Sequence, residues 1–196
     1  MFTGVITIFF AAVLTHNIAL SYILGMCPFI SLSRNMKTAS GMGFSIIFVV
    51  TVTAMINWPI YHLILVPLHS EIIAYIVFMA VIAATVQLLE MIMEKFFPVL
   101  EASFGIFLPL ITVNCIVLAV SLFMVLRDYG YIKSVFFALG TSVGWTLAIV
   151  IIAALREKLR LVGDVPKGLQ GPGITMIIAG TLALSFIGFS GIVGIK

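Results

Sequence analysis

Long apolar runs separated by short stretches that hold nearly all the charge divide this chain into membrane-length pieces. About 20 apolar residues in helical form cross a hydrocarbon core. The runs predict helices over Val5–Phe29, Lys37–Ile56, Ile72–Met93, Phe104–Leu126, Ile132–Leu155 and Ile174–Gly194, six crossings in an all-α polytopic fold. The first run is longer than one helix needs. No charged side chain precedes Arg34, yet His16, Asn17, Gly25 and Pro28 interrupt it. The fourth run is interrupted in the same manner by Pro109, Thr112 and Asn114. Such breaks strand backbone polar groups, which a bilayer tolerates only inside protein or beside a cavity. Thr15-His16-Asn17-Ile18 aligns with Thr112-Val113-Asn114-Cys115, so each three-helix half opens on a broken helix. Three crossings per half is an odd number, and the halves therefore enter the membrane from opposite sides. The expectation is a single integral membrane domain over 1–196, built as two inverted three-helix repeats at about 1–98 and 99–196, with helices 1 and 4 broken near the midplane.

Composition agrees with that solvent. At 63% hydrophobic and 9% charged residues, 196 residues cannot present the polar surface of a soluble domain. The formal charge of +3 raises a nucleic-acid reading, but the basic residues occupy short loops and form no patch, so no nucleic acid is expected. Their distribution speaks to orientation instead. Arg34, Lys37, Lys95, Arg156, Lys158, Arg160 and Lys167 fall on one side of the six-helix topology, against Arg127, Lys133 and Lys196 on the other. The positive-inside rule makes the first side cytoplasmic. Both termini are then expected outside, together with a loop Asn57-Trp58-Pro59-Ile60-Tyr61-His62. Without a basic stretch before it, the first segment is expected to remain as a span and not to be cleaved as a signal.

The only two thiols, Cys27 and Cys115, lie in uncharged stretches beside these breaks. Thiolates suit iron and iron–sulfur clusters, which normally take four protein ligands, so two per chain demand a second protein to complete the set. The plain alternative is a pair of small buried apolar residues. If the broken helices enter from opposite faces, both thiols can meet near the middle of the membrane. A second candidate is carboxylate chemistry at the cytoplasmic end of the third span. Gln87, Glu90 and Glu94 share one helix face by their spacing of three and four. Oxygen ligands of this kind suit Na⁺, and ionisable groups in spans are commonly functional. The alternative there is an interfacial glutamate pair with Lys95 as counter-ion. His16, His62 and His69 invite a haem reading, but an interfacial role for His62 and His69, and a part in the helix break for His16, are preferred. Gly140-Thr141-Ser142-Val143-Gly144 has the small-residue spacing of close helix approach. The Gly- and Pro-rich loop from Asp164 to Gly173 lacks the Walker spacing and is read as a cytoplasmic docking loop.

Three stretches carry a family resemblance: His16-Asn17-Ile18-Ala19-Leu20 through Leu24-Gly25-Met26-Cys27-Pro28-Phe29, then Gly105 through Cys115, then Asp164-Val165-Pro166-Lys167-Gly168-Leu169. They resemble the RnfA/NqrE family, six-helix membrane subunits of the Rnf and Na⁺-NQR respiratory complexes of bacterial inner membranes. The likeness extends to Gly188-Phe189-Ser190-Gly191-Ile192 near the end of the chain. It implies that Cys27 and Cys115 supply half the ligands of an intramembrane [2Fe–2S] centre, a single iron being less favoured. The other half would come from a homologous, oppositely oriented protein of the RnfE/NqrD type. The resemblance also associates the acidic residue of Leu89-Glu90-Met91 with cation uptake, Na⁺ or H⁺. Met26-Cys27-Pro28-Phe29 and Ile64-Leu65-Val66-Pro67-Leu68 are more similar to the Rnf type, whereas Gly144 through Val150 and Asp164 through Leu169 are more similar to the Na⁺-NQR type. The Rnf type, which links ferredoxin and NAD⁺, is preferred over the type linking NADH and quinone. The expected role is that of one subunit in an ion-translocating oxidoreductase, with no isolated activity. A reading of another class remains: a secondary transporter without a redox centre, using Asn17 and Asn114 as a midplane polar pair.

Overall fold

The computed structural model describes residues 2–15, 17–33, 35–68, 71–96, 111–162 and 171–190. No strand occurs among them. Helix α1 (Phe2–Phe10) runs into a π-helical turn at Ala11–Thr15, followed by two short helices, α2 (Ile18–Ser21) and α3 (Met26–Leu32). Helix α4 (Met36–Ile60) continues through a second π turn at Tyr61–Leu65 into α5 (Val66–Leu68). Then come α6 (Glu71–Phe96), α7 (Cys115–Leu126), α8 (Tyr131–Val162) and α9 (Pro172–Ser190).

Among the described residues, three continuous helical stretches are long and apolar enough to cross a membrane: Met36–Leu65, Ile73–Ile92 and Tyr131–Leu161. Cys115–Leu126 and Pro172–Gly188 are apolar but shorter. The predicted first span is divided into pieces, as its polar interruptions imply. Of the predicted fourth span, Phe104–Leu110, and with it Pro109, lies outside the described residues, as do His16, His69, Arg34 and the loop 163–170.

Helices α4 and α8 form the central pair. They run antiparallel: Gly43 meets Thr146 near one end, and the rings of Trp58 and Tyr131 stand 5.3 Å apart near the other. The buried positions of α4 are Ala39, Met42, Gly43, Ile46, Val49, Val50, Thr53, Ala54 and Asn57, a stripe with helical period. Its other faces are apolar too, with Phe44 74% exposed, because lipid and core make the same demand on a side chain. Helix α7 is fastened to α4 by the buried Asn57 Nδ2, which donates to Ser121 Oγ at 2.9 Å. Helix α6 packs on α4, α7 and the second π turn, where Phe78 meets Tyr61.

One expected loop is a helix. Asn57-Trp58-Pro59-Ile60 belongs to α4, and Tyr61 and His62 to the π turn that prolongs it. Pro59 withholds the N–H that a straight helix would use, and the helix widens at the next turn without stopping. Asn57 faces the core, which a surface loop would not allow. The aromatic residues keep their expected amphipathic role: the half-buried Trp58 donates its indole N–H to Tyr129 O at 2.9 Å and stacks on exposed His62 at 4.2 Å.

Candidate functional site

The breaks before α2 and α7 are each capped by an asparagine, and the two caps match. Asn17 takes extended backbone (φ −65°, ψ 103°) and its Oδ1 accepts from Ala19 N at 3.2 Å, starting α2. Asn114 has φ −73° and ψ 115°, and its Oδ1 accepts from Ile116 N at 3.2 Å, starting α7. Both side chains are buried. A cap of this type satisfies a first-turn N–H that would otherwise be stranded in an apolar medium. The aligned Thr-x-Asn pattern therefore corresponds to a shared local structure.

The break beside Cys27 is a separate one. After α2 the chain turns through Tyr22–Gly25, with Ile23 at φ 56° and Gly25 at φ 79°, both left-handed. Gly25 is the N-cap of α3 and Cys27 lies in its first turn. Pro28, expected as a helix breaker, also sits in that first turn. A missing N–H costs nothing there, so Pro28 belongs to the start of the helix and not to its interruption.

Helix α8 holds both irregular segments. A Cβ added at Gly144 would lie 3.0 Å from Val13 O and 3.2 Å from Asn17 Nδ2, and one at Gly140 would lie 2.8 Å from Phe9 O. These glycines let the first broken helix press onto α8, as the small-residue spacing anticipates. Asn17 Nδ2 donates to Gly144 O at 2.9 Å and to Val13 O at 3.3 Å. One residue further on, Trp145 is completely buried and stands edge-on to Phe29 of α3, centroids 5.2 Å apart.

Gly25, Asn114 and Trp145 then meet. A Cβ built on Gly25 would fall 2.7 Å from Trp145 Nε1 and 3.1 Å from Asn114 Oδ1. The caps of α3 and α7 are thus in contact, and the helix starts that carry Cys27 and Cys115 are brought side by side. Both cysteines are exposed on this chain. Cys115 opens α7, and the first-turn amides that follow it are already paired, Ile116 N with Asn114 Oδ1 and Val117 N with Asn114 O. Among the described residues no three His, Cys, Asp or Glu side chains gather, so these residues by themselves offer an incomplete ligand set.

The carboxylate candidates stand elsewhere. Ala74, Phe78, Ile82 and Val86 form the buried stripe of α6, and half-buried Glu90 is the next position along it. Gln87 is exposed on this chain; the backbone of Glu94 continues the helix. Trp145 is the contact residue that the sequence did not single out. Its available signals were adjacency to Gly144 in the small-residue stretch and its place in the Gly144–Val150 stretch that carries the family resemblance.

The Rnf-Nqr family model, described as an Rnf-Nqr subunit and membrane protein, matches residues 5–193. The E-type subunit of the Na(+)-translocating NADH-quinone reductase of Methylococcus capsulatus is 49% identical, covering 95% of this chain and 97% of its own. Its counterpart of the same name from Aeromonas hydrophila is 46% identical, with the same coverage. The A-type subunit of the ion-translocating oxidoreductase complex of Syntrophotalea carbinolica is 46% identical, covering 97% of this chain and 98% of its own.

Proposed function

Because the chain belongs to the Rnf-Nqr family of membrane subunits, we propose that it serves electron transfer within an ion-translocating oxidoreductase complex. In this reading Cys27 and Cys115 hold half of an intramembrane [2Fe–2S] centre, and a homologous, oppositely oriented protein of the RnfE/NqrD type holds the rest. The observation that carries it is the contact between Gly25 and Asn114, which pairs two helix starts each bearing an exposed thiol. When bound, such a centre supplies one-electron transfer at membrane depth. The chain's own part is to fix the two sulfurs at adjacent helix starts, with the edge-on packing of Trp145 and Phe29 behind the start of α3.

Between the two parent complexes, the relatives favour the Na⁺-NQR type over the Rnf type preferred from local motifs, with identities of 49% and 46% respectively. Sodium is accordingly the favoured ion. The transporter reading loses its expected ligand at Asn17, whose side chain is spent on Ala19, Val13 and Gly144. The arrangement of two inverted repeats is supported by the matching caps at Asn17 and Asn114. Outside termini follow from the basic residues, and a reporter fused after Lys196 should be active only in its periplasmic form; activity only in a cytoplasmic form reverses the orientation.

Iron and acid-labile sulfide analysis of the purified complex, with all its subunits, tests the proposal. Cys27→Ala and Cys115→Ala should each abolish the associated EPR signal while the complex still assembles. Unchanged iron content and an unchanged spectrum would reject the ligand role.

A further inference from the structure

Resting on that reading, we propose that the Trp145 indole N–H and the Asn114 side-chain amide are hydrogen-bond donors to the sulfur atoms of the centre held at Cys27 and Cys115, and that they set its reduction potential.

Two observations lead there. Trp145 Nε1 and Asn114 Nδ2 are buried and have no hydrogen-bond partner among the described residues. Both side chains converge on Gly25, the cap of the helix that carries Cys27, and Asn114 directly precedes Cys115. Donors left unpaired in a low-dielectric interior are costly, and native proteins seldom retain them without a purpose. The second observation is a built-in comparison. Asn17 makes the same cap as Asn114, but its Nδ2 has two carbonyl acceptors, Gly144 O and Val13 O. The break next to no cysteine satisfies its amide completely, whereas the break next to Cys115 leaves its amide over. The orientation of the Asn114 amide is fixed by its own cap, since Oδ1 must face the Ile116 N–H. Trp145 is likewise fixed, completely buried and edge-on to Phe29.

Thiolate and sulfide sulfur are the acceptors that the proposed centre would bring to this junction. One-electron reduction makes the centre more negative, and donors strengthen most on the more negative state. Trp145 and Asn114 would therefore raise the potential and ease electron entry into the membrane. They touch no substrate and act only by positioning charge around the sulfurs.

The test uses the complete complex. W145F keeps an aromatic ring of related size and removes the donor; N114S keeps a cap oxygen and removes the amide. Each should retain iron and acid-labile sulfide, show altered g-values and titrate at a lower midpoint potential than wild type. Retained iron with unchanged g-values and midpoint overturns the inference, assigning the two donors to a buried water. A wild-type complex without iron at these cysteines overturns the underlying reading instead, so the two failures are distinct. Should W145F fail to assemble, wild-type complex labelled with ¹⁵N-tryptophan decides the matter. A nitrogen hyperfine coupling to the reduced centre is expected, and its absence counts against the Trp145 donor.

Discussion

At Gly25, two constraints act on one atom that the residue lacks. The backbone is left-handed at φ 79°, and a Cβ there would meet Trp145 Nε1 at 2.7 Å. Gly25→Ala should cost about 1–2 kcal/mol for the backbone alone, with a further cost as the indole is displaced. A lowered thermal midpoint of the purified complex, together with a broadened EPR signal, is the expected outcome. Asn114 was legible in the sequence because a mid-span asparagine is costly in a bilayer interior, and the cysteines because they are the only two thiols and each lies beside a helix break. The neighbour of Gly25 was not legible. Nothing about Trp145 as a residue type distinguishes a core indole from an interfacial one such as Trp58, and only the fold brings residues 25, 114 and 145 together. Pro28 is a related case. Proline halts a helix in its interior but suits its first turn, and which of these applies depends on where Gly25 starts α3.

Helix against helix, this protein depends on close approach and a few buried hydrogen bonds, since lipid is as apolar as the core. The tightest such approach among the described glycines is Gly43 of α4 against Thr146 of α8, where an added Cβ would fall 2.2 Å from the threonine methyl. Thr146 Oγ1 also donates to Gly43 O at 3.2 Å. Gly43→Ala should therefore force the central pair apart and destabilise it by about 1–3 kcal/mol. Adding Thr146→Ala removes the clashing methyl and should recover most of that loss, a rescue measurable by thermal unfolding of the single and double variants. The long helices were readable from apolar run length. Their ends were less so: α4 runs past Asn57 and through Pro59, and α8 extends to Val162 beyond the predicted Leu155. Hydropathy marks where lipid stops, and a helix bearing Arg156, Glu157, Lys158 and Arg160 simply continues into water. Which face of each helix turns inward was equally hidden, because Phe44 toward lipid and Ile46 toward the core are alike in polarity.

On the scale of the whole chain, the described surface is apolar in a manner that fits both lipid and neighbouring subunits, with Leu63, Ile76 and Leu184 all more than two-thirds exposed. Half-buried Glu90 is an exception on α6, and we propose that it takes part in cation uptake from the cytoplasmic side. Glu90→Gln should leave iron content and EPR unchanged while raising the Na⁺ concentration needed for half-maximal turnover by about tenfold, equivalent to ~1.4 kcal/mol of lost affinity. Unaltered sodium dependence would return Glu90 to an interfacial role. Helix α3 is held at both ends by α8. Its start is wedged by Trp145, and at its end Arg156 Nη1 donates to Ile30 O at 3.3 Å and to Ser33 Oγ at 2.5 Å. Both clamps belong to α8, so this short strut is bolted at each extremity to one long beam. A stroke that displaces α3 without α8 has to break both clamps, so the backbone bearing Cys27 is expected to travel with the long helix.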